Sequence, residues 1–235
     1  MRINRNGYSK KIMKPTLVLV GIAILLLIFA ARARSEESAS LSSMTLFGAE
    51  STSAYPLTRV QPAGSIERWH TVLQRHREDD AFASGNTCMS QPMRKQWEAL
   101  NVKFPQMSPL ERLQAINAFF NLVPIGKDLN IYGQEEYWAY PAEFFRKSIG
   151  DCEDIAIAKY FALRHLNWPK NDLWLVLIHD LRRKTGHAVV AARHKGSIFI
   201  LDNLSRPRGR IVPHEAQAAI YSPILALNET SAWVF

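Results

Sequence analysis

The sequence lacks the features of a nucleic-acid-binding protein. Its net charge of +8 is concentrated in the first 34 of 235 residues. The rest of the chain is only slightly basic and shows no recognisable nucleic-acid-binding module, so no nucleic-acid partner is expected. No segment combines low hydrophobicity with the high charge of sustained disorder. With 47% hydrophobic residues, the chain can bury one sizeable core, and we expect one globular domain.

Cysteine is scarce, and the two that occur, Cys88 and Cys152, leave two interpretations open. In an oxidising compartment they would pair by default, which would make the chain a non-catalytic exported binding domain with a Cys88–Cys152 disulfide. The other interpretation is that Cys152 is a free, reactive thiol. No role can be assigned to Cys88 from the sequence.

The N-terminal segment has the layout of an export signal. Residues 1–15 are basic, residues 16–31 are almost wholly apolar, and residues 31–33 read Ala-Arg-Ala, an A-x-A cleavage pattern. The apolar run falls short of the ~20 residues of a spanning helix, which favours a cleaved signal peptide over an uncleaved anchor. In both cases the globular part lies outside the cytoplasm, and membrane contact is confined to residues 1–33.

Residues 34–64 are rich in Ser, Ala and Thr without a sustained period, and they predict a linker or entry segment. The folded domain is expected over residues 65–235. Apolar spacings of three and four predict a helix from Ser65. Further helices are predicted over Gln91–Leu100, from Ser108-Pro109 onward, and over Ala142–Lys147.

The strongest helix prediction runs from about Cys152 to Leu166, preceded by Ser148 and Asp151 at the S-x-x-D spacing of a capping box. After it the period changes. Runs rich in β-forming residues cover Leu173–His179, His187–His194 and Ser197–Leu204. Helices followed by an antiparallel sheet predict an α+β fold.

Cys152 is the candidate nucleophile because it stands where a helix should begin. A thiolate there is stabilised by unpaired backbone N–H groups and the positive end of the helix, so we expect a lowered thiol pKa. The preceding Gly150 would let a substrate backbone approach.

A hairpin places the candidate base beside a carboxylate. If Lys195-Gly196 is a two-residue turn, His187 lies opposite Leu204 and Val189 opposite Asp202, so His187 and Asp202 become diagonal neighbours on one sheet face. A histidine oriented by a carboxylate is what a cysteine nucleophile requires.

These residues and their flanks resemble the bacterial transglutaminase-like cysteine protease family, in particular its LapG-type periplasmic adhesin proteases. The similarity covers roughly residues 65–230. The motifs that carry it are Trp138-Ala139-Tyr140-Pro141-Ala142-Glu143-Phe144, Gly150-Asp151-Cys152-Glu153-Asp154, Gly186-His187-Ala188-Val189 and Leu201-Asp202-Asn203.

The resemblance implies a papain-like, transglutaminase-like core with the catalytic cysteine at a helix N-terminus packed on an antiparallel sheet. It makes Cys152, His187 and Asp202 the catalytic triad and Asp151 and Glu153 the calcium ligands. The implied activity is calcium-dependent cleavage, typically at a di-alanine site, near the N-terminus of a large surface adhesin. The implied location is the periplasm, where an inner-membrane receptor that senses cyclic diguanylate would sequester the protease and so control biofilm attachment.

Three alternatives stay open from the residues themselves. Clustered carboxylates suit calcium, but Asp151 and Glu153 could instead only compensate the helix N-terminus, and there is no EF-hand pattern. The backbone N–H of Cys152 is the natural first oxyanion donor, and Trp138 is either the second, as in related transglutaminase-like enzymes, or a core aromatic. A transglutaminase or amidase would use the same triad.

Overall fold

The structure is a computed structural model that describes residues 43–59, 63–83, 88–205, 207 and 209–235. The predicted signal peptide or anchor, residues 1–33, lies outside the described residues. Within the described ranges, no helix is both long and apolar enough to cross a membrane.

Six α-helices in the described part of the chain precede most of the sheet. They are α1 (Gly64–Glu78), α2 (Gln91–Lys103), α3 (Pro109–Phe120), α4 (Asp128–Tyr132), α5 (Pro141–Lys147) and α6 (Cys152–His165). Five of them were predicted, and their observed starts agree with the predicted starts to within one residue. The helix α3 begins with a complete capping box, in which Ser108 accepts the N–H of Glu111 and Glu111 accepts the N–H of Ser108.

The described strands are β1 (Thr45–Leu46), β2 (Ala49–Glu50), β3 (Ser53–Pro56), β4 (Leu173–Asp180), β5 (Thr185–His194), β6 (Ser197–Leu201), β7 (Val212–Pro213), β8 (Tyr221–Leu227) and β9 (Ser231–Val234). The first two form a separate hairpin. The other seven form an antiparallel sheet in the order β3-β9-β8-β4-β5-β6-β7. The predicted α+β class is confirmed.

The prediction of a linker over residues 34–64 is wrong for much of its described part. Strand β3 lies at the edge of the sheet and pairs with β9, with Ser53 opposite Val234. Because its partner is at the far end of the chain, this pairing leaves no local signal that a sequence pattern could show.

Both faces of the sheet are buried. On one face α6 packs against β4 and β5, and the other helices complete a helix-side core. On the opposite face Leu46 and Phe47 of the β1–β2 hairpin belong to a second buried cluster with Trp174 and Trp233, which we call the outer cluster. Side chains on both faces of strand β4 are therefore buried, which explains why its sequence is apolar without alternation.

The third strand of the predicted hairpin region is shorter than expected. Strand β6 ends at Leu201 instead of Leu204, because the carboxylate of Asp202 accepts the N–H of Leu204 at 2.8 Å and turns the chain out of the ladder. Asp202 therefore lies just beyond the strand.

The predicted capping box before α6 is also wrong. Ser148 ends the preceding helix α5 in the left-handed region, with φ of 55°. The N-cap of α6 is Asp151, whose side chain accepts the N–H of Asp154. The S-x-x-D spacing does not mark a capping box here, because two helices follow one another closely and Ser148 belongs to the end of the first.

Gly150 determines how closely the start of α6 lies to its neighbours. It forms a parallel β-bridge with Ile125 and is buried. A Cβ at Gly150 would lie 2.7 Å from Asp154 Oδ2 and 3.0 Å from Phe144 Cδ2. The expectation that this glycine admits a substrate backbone is therefore wrong, since protein atoms fill the space beside it.

Replacing Gly150 with alanine should destabilise the fold by about 1–3 kcal/mol, because the added methyl group overlaps Asp154 and Phe144. The matched control is Gly186→Ala, since a Cβ at Gly186 meets no heavy atom within 4 Å. Urea unfolding followed by circular dichroism measures both. Equal stability of the two variants would contradict the packing role of Gly150.

Candidate active site

Three chain segments carry the predicted triad, of which Cys152 and His187 line one cleft of about 730 Å³ and Asp202 is hydrogen-bonded to the histidine. Cys152 is the first residue of α6, His187 lies near the start of β5, and Asp202 follows the end of β6. Cys152 is partly exposed, while His187 and Asp202 are each 7% exposed. Beside the cysteine and the histidine, the cleft is lined by Ile125, Gly126, Lys127, Asp128, Leu129, Asn130, Glu135, Asp151, Asn203 and Leu204.

The predicted contact between His187 and Asp202 is confirmed. Strands β5 and β6 are joined by a two-residue turn with His194 opposite Ser197. That register brings His187 Nε2 to 2.8 Å from Asp202 Oδ1. Because Nε2 faces the carboxylate, Nδ1 is the ring nitrogen available to a thiol or a substrate.

The carboxylate of Asp202 is held in its ionised form. Burial alone would raise its pKa, but hydrogen bonds from His187, the Leu204 N–H and the Tyr221 hydroxyl outweigh burial, and the pKa is lowered. The backbone carbonyl of Asp202 also accepts from Asn121 Nδ2 at 2.9 Å. No sequence pattern indicated Tyr221 or Asn121, since both contacts are long-range.

Cys152 and His187 line the same cleft, and the backbone N–H of Ala188, the residue after the histidine, favours the thiolate form of Cys152. Its own proton is directed elsewhere, since Sγ donates to Glu153 Oε2 at 3.0 Å. The expected fall in the thiol pKa is wrong. Burial first, and then the Glu153 carboxylate, raise the pKa of Cys152 well above its usual range.

Three carboxylates crowd the start of α6. Asp128, Asp151 and Glu153 each offer an oxygen, and these oxygens lie within 4.8 Å of one another. The two predicted metal ligands are thus brought together with a third acidic residue that sequence reasoning missed. Asp128 reaches the cluster from α4, and nothing in the local sequence around it indicated that.

The donor set fits a hard divalent cation such as calcium, which prefers carboxylate oxygens. Oδ1 of Asp128 is buried and has no hydrogen-bond partner among the described residues, while Oδ2 accepts the N–H of Tyr137 at 2.7 Å. Burial raises the pKa of Asp128, and burial together with Glu153 raises that of Asp151. A cation would satisfy the unpaired oxygen and offset both the burial of these carboxylates and their mutual repulsion, the two causes that raise the pKa values.

Asp154 makes hydrogen bonds that connect separate segments of the chain. Its Oδ1 accepts the N–H of Ala139 at 2.8 Å, and its Oδ2 accepts the Tyr132 hydroxyl at 3.3 Å. Burial is the main cause that raises its pKa to about 8. Asp154 therefore ties the segment before α5 to the first turn of α6.

Trp138 precedes this tied segment and is buried in the helix-side core. Its side chain lines a separate cavity with Arg68 and Arg75, not the cleft that holds Cys152. Its role as second oxyanion donor therefore stays a prediction, and the core-aromatic interpretation agrees with its packing.

The disulfide alternative is wrong, because Cys88 and Cys152 are both free thiols. Cys88 is partly buried and packs against the helix-side core. Burial is the main cause that raises its thiol pKa.

Comparisons with known proteins indicate a family and a similar fold. The family described as "Bacterial transglutaminase-like cysteine proteinase BTLCP" matches residues 85–234, more than half of the chain. LapG of Legionella pneumophila shares 25% sequence identity over 66% of this chain and 84% of its own, with a TM-score of 0.53. A calcium-bound LapG structure, at 24% identity and a TM-score of 0.52, covers 70% of this chain and 86% of its own. An EGTA-treated LapG structure, at the same identity and TM-score, covers 74% of this chain and 88% of its own. No curated protein sequence gave a match.

Glu153→Gln should speed alkylation of Cys152 by iodoacetamide at pH 7.5 in chelator-containing buffer. The carboxylate raises the thiol pKa, so its removal lowers that pKa and increases the thiolate fraction by about tenfold per pKa unit. Peptide mass spectrometry separates Cys152 from Cys88. The control is Glu135→Gln, which removes a carboxylate from the same cleft outside the cluster, and an equal rate in both variants would count against the electrostatic explanation.

Proposed function

Since the chain belongs to the bacterial transglutaminase-like cysteine proteinase family, we propose that it is a periplasmic, calcium-dependent cysteine endopeptidase. Cys152 is its nucleophile, His187 its general base and Asp202 the carboxylate that orients the histidine. The observation that carries the proposal is the 2.8 Å His187–Asp202 hydrogen bond beside a cleft that also exposes Cys152.

The chemistry follows from these positions. His187 accepts the thiol proton at Nδ1 while Nε2 stays bonded to Asp202, and the resulting thiolate attacks a peptide carbonyl. Asp202 fixes the tautomer and stabilises the imidazolium that forms. His187 then gives the proton to the departing amine, leaving a thioester on Cys152. Water, activated by the same histidine, hydrolyses that thioester and restores the free thiol.

The oxyanion of the tetrahedral intermediate forms next to the start of α6. The N–H of Cys152 lies in the first helical turn and has no intrahelical partner, so it can donate to that oxygen. We keep Trp138 as the proposed second donor on the strength of the family resemblance alone.

Calcium is proposed as the cation that Asp128, Asp151 and Glu153 hold, in line with the calcium-bound form of the similar LapG. Its charge would offset the carboxylates that disfavour the Cys152 thiolate. The chain's own part is to keep these three side chains beside the nucleophile, so that metal affinity and thiol reactivity are governed by the same residues.

The proposed substrate is the N-terminal region of a large surface adhesin, cut at a di-alanine type site, with control by an inner-membrane receptor that senses cyclic diguanylate. This part of the proposal rests on the family resemblance. The cleft agrees with apolar substrate residues, since Ile125 and Leu129 on its wall are 62% and 56% exposed.

Cys152→Ala should abolish cleavage of a candidate adhesin fragment while leaving the thermal unfolding midpoint close to that of the native chain. Among the described residues the thiol makes one side-chain hydrogen bond, to Glu153, so its loss removes the nucleophile at little structural cost. Gel analysis of the fragment, co-expressed with either form, measures this. Cys88→Ala is the control and should cleave normally.

A labelled primary amine added to the native reaction separates hydrolysis from amine transfer. Cleaved fragment without label is the expected result. Incorporation of the amine without cleavage would show that the triad serves a transglutaminase instead, and full activity of Cys152→Ala would remove the nucleophile assignment.

Calcium should raise the thermal unfolding midpoint of the protein, because a ligand that binds only the folded state stabilises it. Asp128→Asn should weaken calcium affinity by on the order of tenfold or more, since one ligand charge is lost. The asparagine keeps an oxygen for the Tyr137 N–H.

Isothermal titration and thermal shift measure the binding, with Glu135→Gln as the control expected to bind like the native chain. EGTA should reverse the stabilisation. Unchanged affinity in Asp128→Asn would exclude this residue as a ligand without affecting the triad assignment.

A further inference from the structure

We propose that Tyr221 is a positioning residue for the catalytic histidine: its hydroxyl holds Asp202 so that the other carboxylate oxygen faces His187. The inference rests on the proposed function and extends it beyond the three triad residues. It depends on a hydrogen bond of 2.7 Å from the Tyr221 hydroxyl to Asp202 Oδ2.

The two oxygens of the carboxylate have different partners. Oδ1 accepts from His187 Nε2 and from the Leu204 N–H, both at 2.8 Å. Oδ2 accepts from Tyr221, its one partner among the side-chain bonds of the described residues. Because Asp202 lies beyond the end of β6, the sheet ladder does not hold it. A carboxylate anchored at both oxygens has one orientation, whereas a carboxylate held at Oδ1 alone can rotate about its Cβ–Cγ bond.

Tyr221 itself is fixed from two directions. Its backbone opens β8 and pairs with Asp180 of β4. Its ring belongs to the outer cluster and meets Phe47 of the β1–β2 hairpin edge to face, with 5.7 Å between centroids. A ring held in this way cannot follow a moving carboxylate, so it acts as a fixed reference point for Asp202.

Water cannot easily take over from the hydroxyl. Tyr221 is 4% exposed and Asp202 7%. In such surroundings a hydrogen bond to a charged acceptor is stronger than in water, and the loss of one leaves the acceptor oxygen unsatisfied. Burial and the neighbouring Asp202 raise the pKa of Tyr221, so the hydroxyl keeps its proton and remains a donor.

The test is Tyr221→Phe in the full chain with calcium present. We expect kcat for an adhesin fragment to fall about tenfold with KM within about twofold, since a hydrogen bond to a charged group is lost that acts on the base and not on substrate binding. The burial-matched control is Tyr160→Phe. It removes a hydroxyl from a fully buried tyrosine of α6 that makes no hydrogen bond to His187 or Asp202, and kcat should stay at the native value.

Nitrogen-15 NMR of the histidine rings gives a readout independent of activity. In the native chain the His187 signals should show a single tautomer with the proton on Nε2, and Tyr221→Phe should shift them towards a mixture. Tyr160→Phe should leave them unchanged. The NMR measurement also tests the positioning role of Tyr221 separately from the proposed protease function, because it reports on His187 even if no cleavage is found.

Native kcat together with native His187 signals in Tyr221→Phe would overturn the positioning role. So would a kcat loss of the same size in Tyr160→Phe, since that would trace the effect to a general loss of packing. A kcat loss confined to Tyr221→Phe, with altered His187 signals and a native circular dichroism spectrum in both variants, would support it.

Discussion

The register of the β5–β6 hairpin is the constraint on which the site depends. Lys195 and Gly196 both have positive φ, 51° and 83°, the geometry of a turn that matches the twist of the two strands. That turn puts His194 opposite Ser197, and the pairing continued along the strands brings His187 to Asp202. A slip of one residue would send one of these side chains into the helix-side core, because side chains alternate between the faces of a sheet.

The helix end and the three nearby carboxylates have opposite effects on the pKa of the Cys152 thiol. An exposed charge gains about 0.3–1 kcal/mol from a helix N-terminus. A carboxylate about 4 Å away contributes about 4 kcal/mol at an effective dielectric of 20. Glu153 is hydrogen-bonded to the sulfur and Asp151 precedes it. Burial and these carboxylates together outweigh the helix end, so the thiol pKa rises. The same carboxylates attract a divalent cation, and therefore metal binding and nucleophile activation are physically linked.

Local patterns predicted what depends on neighbours in sequence. The helix starts, the two-residue turn at Lys195-Gly196 and the His187–Asp202 contact all follow from periodicity and hairpin arithmetic. What the sequence did not reveal depends on distant parts of the chain: β3 against β9, Asp128 in the acidic cluster, and Tyr221 against Asp202. The raised thiol pKa has a partly different origin, because Glu153 is next to Cys152 in the sequence, whereas burial, the largest cause, depends on the fold.

The two sides of the sheet hold different halves of the proposed reaction centre. The helix-side core fixes α6 and with it Cys152, whereas the outer cluster fixes Tyr221 and through it the carboxylate behind His187. Part of the outer cluster comes from the β1–β2 hairpin, which precedes the family-matched region 85–234. Since Phe47 of this hairpin packs on Tyr221, the geometry of the base depends on residues outside the part of the chain that identifies the family. The distance between nucleophile and base is therefore a property of the whole packed sheet, because each is anchored on a different face.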